Sequence, residues 1–109
     1  MRVPEAEIMA RTLMHKHGLY RWSLIWTMEG IVAGRCFQAI EAIALSMTII
    51  ELNPIITVRE IVLHEIAHAL TDGGHTAAWR AMARQIGCTG AEVIVVIRPP
   101  VLAVEGIVT

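Results

Sequence analysis

Charged residues are scarce in this chain of 109 residues: they make up 17% of the sequence, against 55% hydrophobic residues. This is an apolar composition for a globular domain. The 10 acidic and 9 basic side chains nearly balance, and no block of basic residues is present that would follow a phosphate backbone. The charge pattern therefore gives no support for nucleic-acid binding.

Long apolar runs are also missing. The longest stretch without a charged side chain, Ala42–Ile50, is far shorter than the roughly 20 apolar residues of a membrane-spanning helix. The first residues, Met1 to Glu5, do not resemble a signal peptide. We therefore expect a cytoplasmic protein that makes no membrane contact.

Cysteine is limited to Cys36 and Cys88, which do not form the CxxC pair of a zinc ribbon. A single disulfide between them remains open, because the sequence does not show whether their Cα atoms come close enough. Two buried free thiols are the preferred interpretation, since unpaired cysteine is often buried.

The order of the patterns predicts an α+β fold in one domain, residues 1–109, with a core at about 6–90 and an apolar tail at 91–109. Pro4 suits the first turn of a helix that runs to about His17 and ends at Gly18. Strand patterns follow, and we expect them to form a small three-stranded antiparallel sheet. The three predicted strands cover residues 22–28, 31–37 and 40–47.

Two further helices and a C-terminal strand complete the prediction. A capping box at Thr57–Glu60 indicates a helix that runs to about residue 70 or 71 and ends at Gly73-Gly74. Another helix is predicted at 76–86, where Trp79 faces the core behind the preceding helix. The segment 92–97 has the composition of a strand.

The motif His64-Glu65-Ile66-Ala67-His68 carries the chemistry. Residues four apart lie on one face of a helix, so both imidazoles can bind one metal ion. Glu65 is rotated by about 100° from His64, which keeps it off the metal and within reach of a water that the metal activates. This is the arrangement of a zinc hydrolase whose glutamate acts as general base.

A catalytic zinc ion usually takes three protein ligands, and His75 is the preferred third one. The Asp72-Gly73-Gly74 turn can bring it back toward the metal. Glu92 is the competing third ligand, and Cys36 is a weaker candidate. Asp72 or nearby backbone carbonyls are candidates for orienting the imidazoles through their other nitrogens.

The segment from His64 to Gly87, with Ala78-Trp79-Arg80-Ala81 after the third histidine, resembles the active-site region of SprT-like zinc metallopeptidases. The Gly34-Arg35-Cys36 segment and the Asn53-Pro54 turn agree with that family's sheet and its connection. The similarity covers roughly residues 6–90. The given sequence has no cysteine-rich zinc ribbon of the kind that often follows this domain, so the resemblance is to a minimal form of the family.

This resemblance implies a minimal zincin-like fold with an HExxH helix and a backing helix. It also implies Zn2+ bound by His64, His68 and His75, with Glu65 as the catalytic residue of a peptidase that acts on proteins or peptides. Some members degrade proteins crosslinked to DNA, so DNA association follows from the resemblance although charge does not support it. Tyr20 and Arg80 are candidate oxyanion donors on their chemistry alone.

A second hypothesis is a non-catalytic binding module that zinc stabilises. The tail segments 93–97 and 101–104 are rich in β-branched residues, and they could contact a partner or associate with another copy of the chain. Glu65 favours the enzyme, because a purely structural zinc site does not need a carboxylate there and tends to close all four positions.

Overall fold

The computed structural model describes residues 1–89, 95–97 and 101–103. Along this part of the chain, one helix precedes a three-stranded sheet, and three helices follow it before two short strands. The predicted α+β class is confirmed. The elements are α1 (Val3–Lys16), β1 (Ser23–Thr27), β2 (Gly34–Phe37), a 3₁₀ turn (Gln38–Ile40), β3 (Ala42–Ser46), α2 (Met47–Leu52), α3 (Ile55–Ala69), α4 (Ala77–Gln85), β4 (Val95–Ile97) and β5 (Val101–Ala103).

The first helix, α1, agrees with the prediction to within one residue at each end. Proline lies in its first turn, and Gly18 follows it with φ +82, a conformation that residues with a Cβ rarely adopt. Its buried face consists of Ala6, Ala10, Leu13 and Met14. This face packs against α3, so α1 is one wall around the central helix.

The three-stranded sheet is mixed, and the prediction of an antiparallel sheet is wrong for one of its two strand pairs. The order is β1-β3-β2, with β3 antiparallel to β2 and parallel to β1. Alternating side chains indicate strands but not their order, because burial on one face is the same in either direction. All five residues of β3 are buried, as expected for the central strand.

The predicted third strand is too long at its end, and the short helix α2 was missed. The strand ends at Ser46, whose hydroxyl accepts a hydrogen bond from the Ile49 amide at 3.2 Å. Serine is a favoured N-cap, and this bond satisfies one of the free amides of the first turn. An apolar run with β-branched residues reads equally well as strand or buried helix, so the boundary was not apparent in the sequence.

The central helix α3 is buried along most of its length and begins earlier than predicted. Its N-cap is Pro54, and no side chain caps it, so the predicted capping box is wrong. Glu60 instead accepts hydrogen bonds from the Thr89 amide at 3.0 Å and the Thr89 hydroxyl at 2.9 Å. These bonds attach the segment after α4 to the middle of α3.

The helix α4 packs on α3, and its N-cap is Thr76, whose hydroxyl accepts from the Trp79 amide at 3.1 Å. In the tail, β4 pairs with β5 and lies beside α2; β4 falls within the predicted strand 92–97. The other tail residues lie outside the described ones. Within the described chain no helix has the length and apolar character needed to cross a membrane. Cys36 and Cys88 form no disulfide; Cys88 is buried as expected, whereas Cys36 is only partly buried.

Candidate metal centre

The structure brings the three predicted histidine ligands together. His64 and His68 lie one turn apart on α3, and His75 comes from the turn before α4. One ring nitrogen from each histidine lies within 4.8 Å of the other two, and the Nε2 atoms of His64 and His75 are 2.9 Å apart. His64 and His68 are buried, whereas His75 is exposed, so the cluster opens to solvent on the side of its third member.

The turn after α3 places His75, as the sequence predicted. Gly73 adopts φ +82, which favours glycine and reverses the chain direction. The Thr76 amide then donates to the Gly74 carbonyl at 2.8 Å, which closes the turn. The Arg80 guanidinium donates to the His75 carbonyl at 2.9 Å. Arg80, a candidate oxyanion donor in the sequence, therefore holds the backbone of the third histidine.

The histidine cluster fits a tetrahedral metal ion such as zinc. Nitrogen ligands at about 2.0–2.1 Å from zinc lie roughly 3.3 Å from one another. This distance falls between the 2.9 Å that separates the Nε2 atoms of His64 and His75 and the 4.8 Å within which all three ligand atoms lie. The Nε2 atom of His68 is buried and has no hydrogen-bond partner. A buried nitrogen without a partner is costly, and a bound cation would satisfy it.

The second nitrogen of the His68 ring is oriented by the turn. The ring forms a hydrogen bond with the backbone of Gly73. Burial is the main cause that lowers the pKa of His68, the charge of His75 lowers it further, and the Gly73 bond opposes both. A lowered pKa keeps the imidazole neutral near pH 7, which is the form that binds metals. Of the candidates raised from sequence, a backbone carbonyl orients His68.

Trp79 covers one side of the whole cluster. Its ring centroid lies 4.6 Å from His64, 5.2 Å from His68 and 4.6 Å from His75. The indole N–H donates to the His64 carbonyl at 3.3 Å. The expectation of a buried anchor behind α3 is confirmed, but the sequence did not indicate that the indole would touch all three imidazoles.

Glu65 is fully buried beside the cluster, and neither of its carboxyl oxygens has a hydrogen-bond partner. Burial raises the pKa of Glu65 to about 8, and the charge of Arg35 opposes this rise. Carboxyl groups are rarely buried without partners in a core that serves only packing. The position therefore calls for a functional explanation.

Gly34 on β2 lies against Glu65. A Cβ atom at Gly34 would be 3.1 Å from the Glu65 Cγ, 3.3 Å from its Oε2 and 3.3 Å from the carbonyl oxygen of Ala44. Gly34 is therefore a point of close approach between β2 and the Glu65 side chain. The lack of a side chain here lets the sheet pack directly on the carboxyl group.

We expect Gly34→Ala to destabilise the protein by about 1–3 kcal/mol, the usual cost of overpacking a filled core. Neither neighbour can move freely, because Glu65 is buried and the Ala44 carbonyl belongs to the central strand. Urea unfolding of the metal-free protein measures this change. The matched control is Gly74→Ala, where a Cβ would meet nothing within 4 Å. Equal stability of the two variants would contradict the close packing.

Cys36, the weaker ligand candidate, is not part of the metal-binding group of the described residues, which consists of the three histidines. Burial raises the pKa of its thiol to about 11, and the charge of Glu65 raises it further. A thiol with such a pKa is almost entirely protonated at neutral pH, whereas a metal ligand must be a thiolate.

We predict that Cys36 reacts slowly with iodoacetamide, at least about tenfold more slowly at pH 8 than in the denatured chain, because the thiolate is the nucleophile. The rate at Cys36 should still rise with pH between 8 and 10, where an ordinary thiol of pKa about 8.5 levels off. Peptide mapping by mass spectrometry separates Cys36 from the buried Cys88. A rate that levels off near pH 9 would be at odds with this pKa.

Of the two other sequence candidates, Tyr20 is described and is not part of the cluster. Tyr20 is 73% exposed, and its ring is tilted by 45° against that of His15, with ring centroids 5.7 Å apart. Glu92, the alternative third ligand, lies outside the described residues. Conversely, no sequence pattern indicated Gln38, whose side-chain amide donates to the backbone at the end of α3. A lone glutamine thirty residues from its acceptor has no recognisable spacing.

The fold is similar to that of a known peptidase precursor. The crystal structure of the metallopeptidase zymogen abylysin from Pyrococcus abyssi matches with a TM-score of 0.61 over 73% of this chain and 77% of that one. The two sequences are 15% identical, so the similarity establishes a zincin-like metallopeptidase fold. The model of the SprT-like family matches residues 6–98, and the chain belongs to this family, as the resemblance in its sequence indicated. No curated protein matches the sequence.

Proposed function

We propose that this protein is a zinc-dependent metallopeptidase, an HExxH endopeptidase that uses Glu65 as its general base. The observation that carries the proposal is a buried carboxyl group without hydrogen-bond partners on the helix that bears two of the three clustered histidines. Membership of the SprT-like family and the metallopeptidase fold support it.

The donor set favours zinc as the metal. Three imidazole nitrogens with room for a further ligand are typical of catalytic zinc sites. When bound, zinc would act as a Lewis acid that acidifies a water molecule and polarises the peptide carbonyl. His64, His68 and His75 would hold the ion, and Trp79 would limit the movement of all three rings.

Glu65 would perform the proton transfers. It follows His64 in the sequence and is rotated away from the face that the two helical histidines share. A cation held by the histidines would favour the ionised form of Glu65, and the carboxylate can then accept a proton from the attacking water and pass it to the leaving amine. The absence of other hydrogen bonds leaves both oxygens available for this task.

Proteins or peptides are the expected substrates, and a cytoplasmic location belongs to the same proposal. An association with DNA rests on family resemblance alone, since acidic and basic residues nearly balance. Self-association through the tail is an expectation from its composition.

The alternative, a non-catalytic module that zinc stabilises, is less well supported. A structural zinc site normally closes four positions with protein ligands. In the described chain the cluster offers three histidines and an adjacent carboxyl group that the metal would not need.

The test combines metal content with hydrolysis. We expect about one zinc per chain after dialysis, together with cleavage of an unstructured protein such as casein. Chelation should remove the cleavage, and added zinc should restore it. Zinc binding without any cleavage, across several denatured protein substrates, would favour the structural alternative. A folded chain that binds no zinc would exclude both.

A further inference from the structure

The C-terminal end of the metal helix has an unusual closure. Helices leave their last four carbonyl groups without helical partners, and a glycine directly after the end often supplies a compensating turn. In α3 the residues after the end are Leu70 and Thr71, and the first glycine with positive φ is Gly73. The carbonyl of the second metal ligand, His68, accepts a long bond from the Thr71 amide at 3.3 Å, and its remaining lone pair can take a closer donor from elsewhere.

Gln38 supplies this donor from the sheet. It follows β2, and its Nε2 donates to the His68 carbonyl at 2.6 Å and to the Thr71 carbonyl at 2.7 Å, with the Ala69 carbonyl at 3.4 Å. Because all three neighbours are carbonyl oxygens, only the NH2 end of the amide fits here. The two hydrogens of one amide thus bridge the end of α3 and the turn after it.

The two main acceptors belong to the backbone that carries the second and third ligands. One is the carbonyl of His68 itself, and the other belongs to Thr71, where the chain leaves α3 toward His75. Thr71 and Arg80 also bind carbonyls in this region, but they lie on the turn and on α4. Gln38 connects the turn to the sheet.

We propose that Gln38 is a positioning residue of the metal centre, which fixes the spacing between His68 and His75 by holding the two backbone segments that bear them. This inference rests on the proposed function, because it assumes that these histidines bind a metal. The Gln38 amide binds backbone carbonyls, and Gln38 is not one of the three proposed ligands. Its removal would loosen the third ligand against the second, and groups that orient ligands typically change metal affinity by about 10- to 100-fold.

The experiment compares Gln38→Met with Gln38→Glu in metal binding alone. Met keeps the length of the side chain and removes the donor. Glu keeps the size but presents oxygens to the carbonyls, and its negative charge would by itself attract a cation. We expect both variants to bind zinc at least about tenfold more weakly in competition with a chromophoric chelator. Tighter binding by Gln38→Glu would mean that charge, not position, governs the effect, and would overturn the proposal.

A matched control and a spectroscopic measurement separate positioning from general destabilisation. Gln85→Met makes the same change at an exposed glutamine at the end of α4, and we expect it to bind zinc as the native chain does. The visible spectrum of the Co2+-substituted protein reports ligand geometry and should change in both Gln38 variants only. Should Gln38→Met lose its helical circular dichroism, Gln38→Asn, which shortens the reach, replaces it with the same expected direction.

The outcomes distinguish this inference from the proposed function. Native protein that binds zinc, with Gln38 variants of native affinity and an unchanged Co2+ spectrum, would overturn the positioning role alone. Native protein that binds no zinc would overturn the proposed function and the positioning role with it. Weaker binding and an altered spectrum in the Gln38 variants, with native behaviour in Gln85→Met, support the proposal.

Discussion

Glu65→Gln is expected to lower the rate of peptide hydrolysis by about 100- to 10,000-fold while zinc content stays at the native level, because general bases contribute rate factors of this order. Glutamine has nearly the same shape but cannot accept the proton. The carboxyl oxygens of Glu65 have no hydrogen-bond partners, so the substitution breaks no network. Steady-state cleavage of a fluorescent casein, alongside elemental analysis of the same preparation, measures both quantities.

The control for this substitution is Glu51→Gln, which makes the same chemical change at an exposed position on α2. We expect it to retain native activity and native zinc content. Cleavage by Glu65→Gln at the native rate would show that another group accepts the proton, and the assignment of Glu65 would then be wrong. Loss of zinc in Glu65→Gln would instead point to a ligand or a structural role for this carboxyl group.

Much of the candidate site followed from local rules of the helix. The spacing of His64 and His68 fixes their common face wherever the helix lies, because that geometry depends only on residues four apart. The turn toward His75 was also apparent, since Gly73 and Gly74 are the residues that can reverse a chain after a helix. The structure confirms both features, and both depend on local backbone geometry, not on the packing of the whole fold.

The packing around the site was not predictable in the same way. The parallel pairing of β1 with β3 depends on how the chain crosses over, which no pattern within either strand records. The contact of Gly34 with Glu65 joins the sheet to α3 across the core. The burial that raises the pKa of Glu65 is likewise a property of the assembled core, and no sequence motif reports it.

The error at Thr57–Glu60 shows how tertiary contacts override a local signal. The residues fit a capping box, but the helix begins at Ile55 after Pro54, whose ring already fixes a suitable backbone angle at the cap. Glu60 then lies inside the helix and binds Thr89. A partner almost thirty residues away thus took the carboxylate that the motif assigned to its own helix.

His75→Ala is the second substitution with a large expected effect, because it removes one of three proposed ligands and leaves the fold intact. His75 is exposed and lies in a turn, so truncation should change the free energy of unfolding of the metal-free chain by no more than about 0.5 kcal/mol. Zinc affinity should fall by at least about 100-fold, since a direct ligand contributes no less than the groups that orient it.

The comparison that decides the third ligand measures zinc per chain after dialysis in the native protein, His75→Ala and His15→Ala. His15 is an exposed histidine whose ring contacts Tyr20, so its removal controls for nonspecific binding by a surface imidazole. We expect about one zinc in the native chain and in His15→Ala, and a large loss in His75→Ala. If His75→Ala keeps its full zinc content, His75 is not the third ligand, and Glu92 becomes the candidate. Glu92→Gln should then lose the metal. Because His75 is exposed, its truncation should leave the fold unchanged, and loss of zinc from a chain that stays folded then identifies His75 as a ligand.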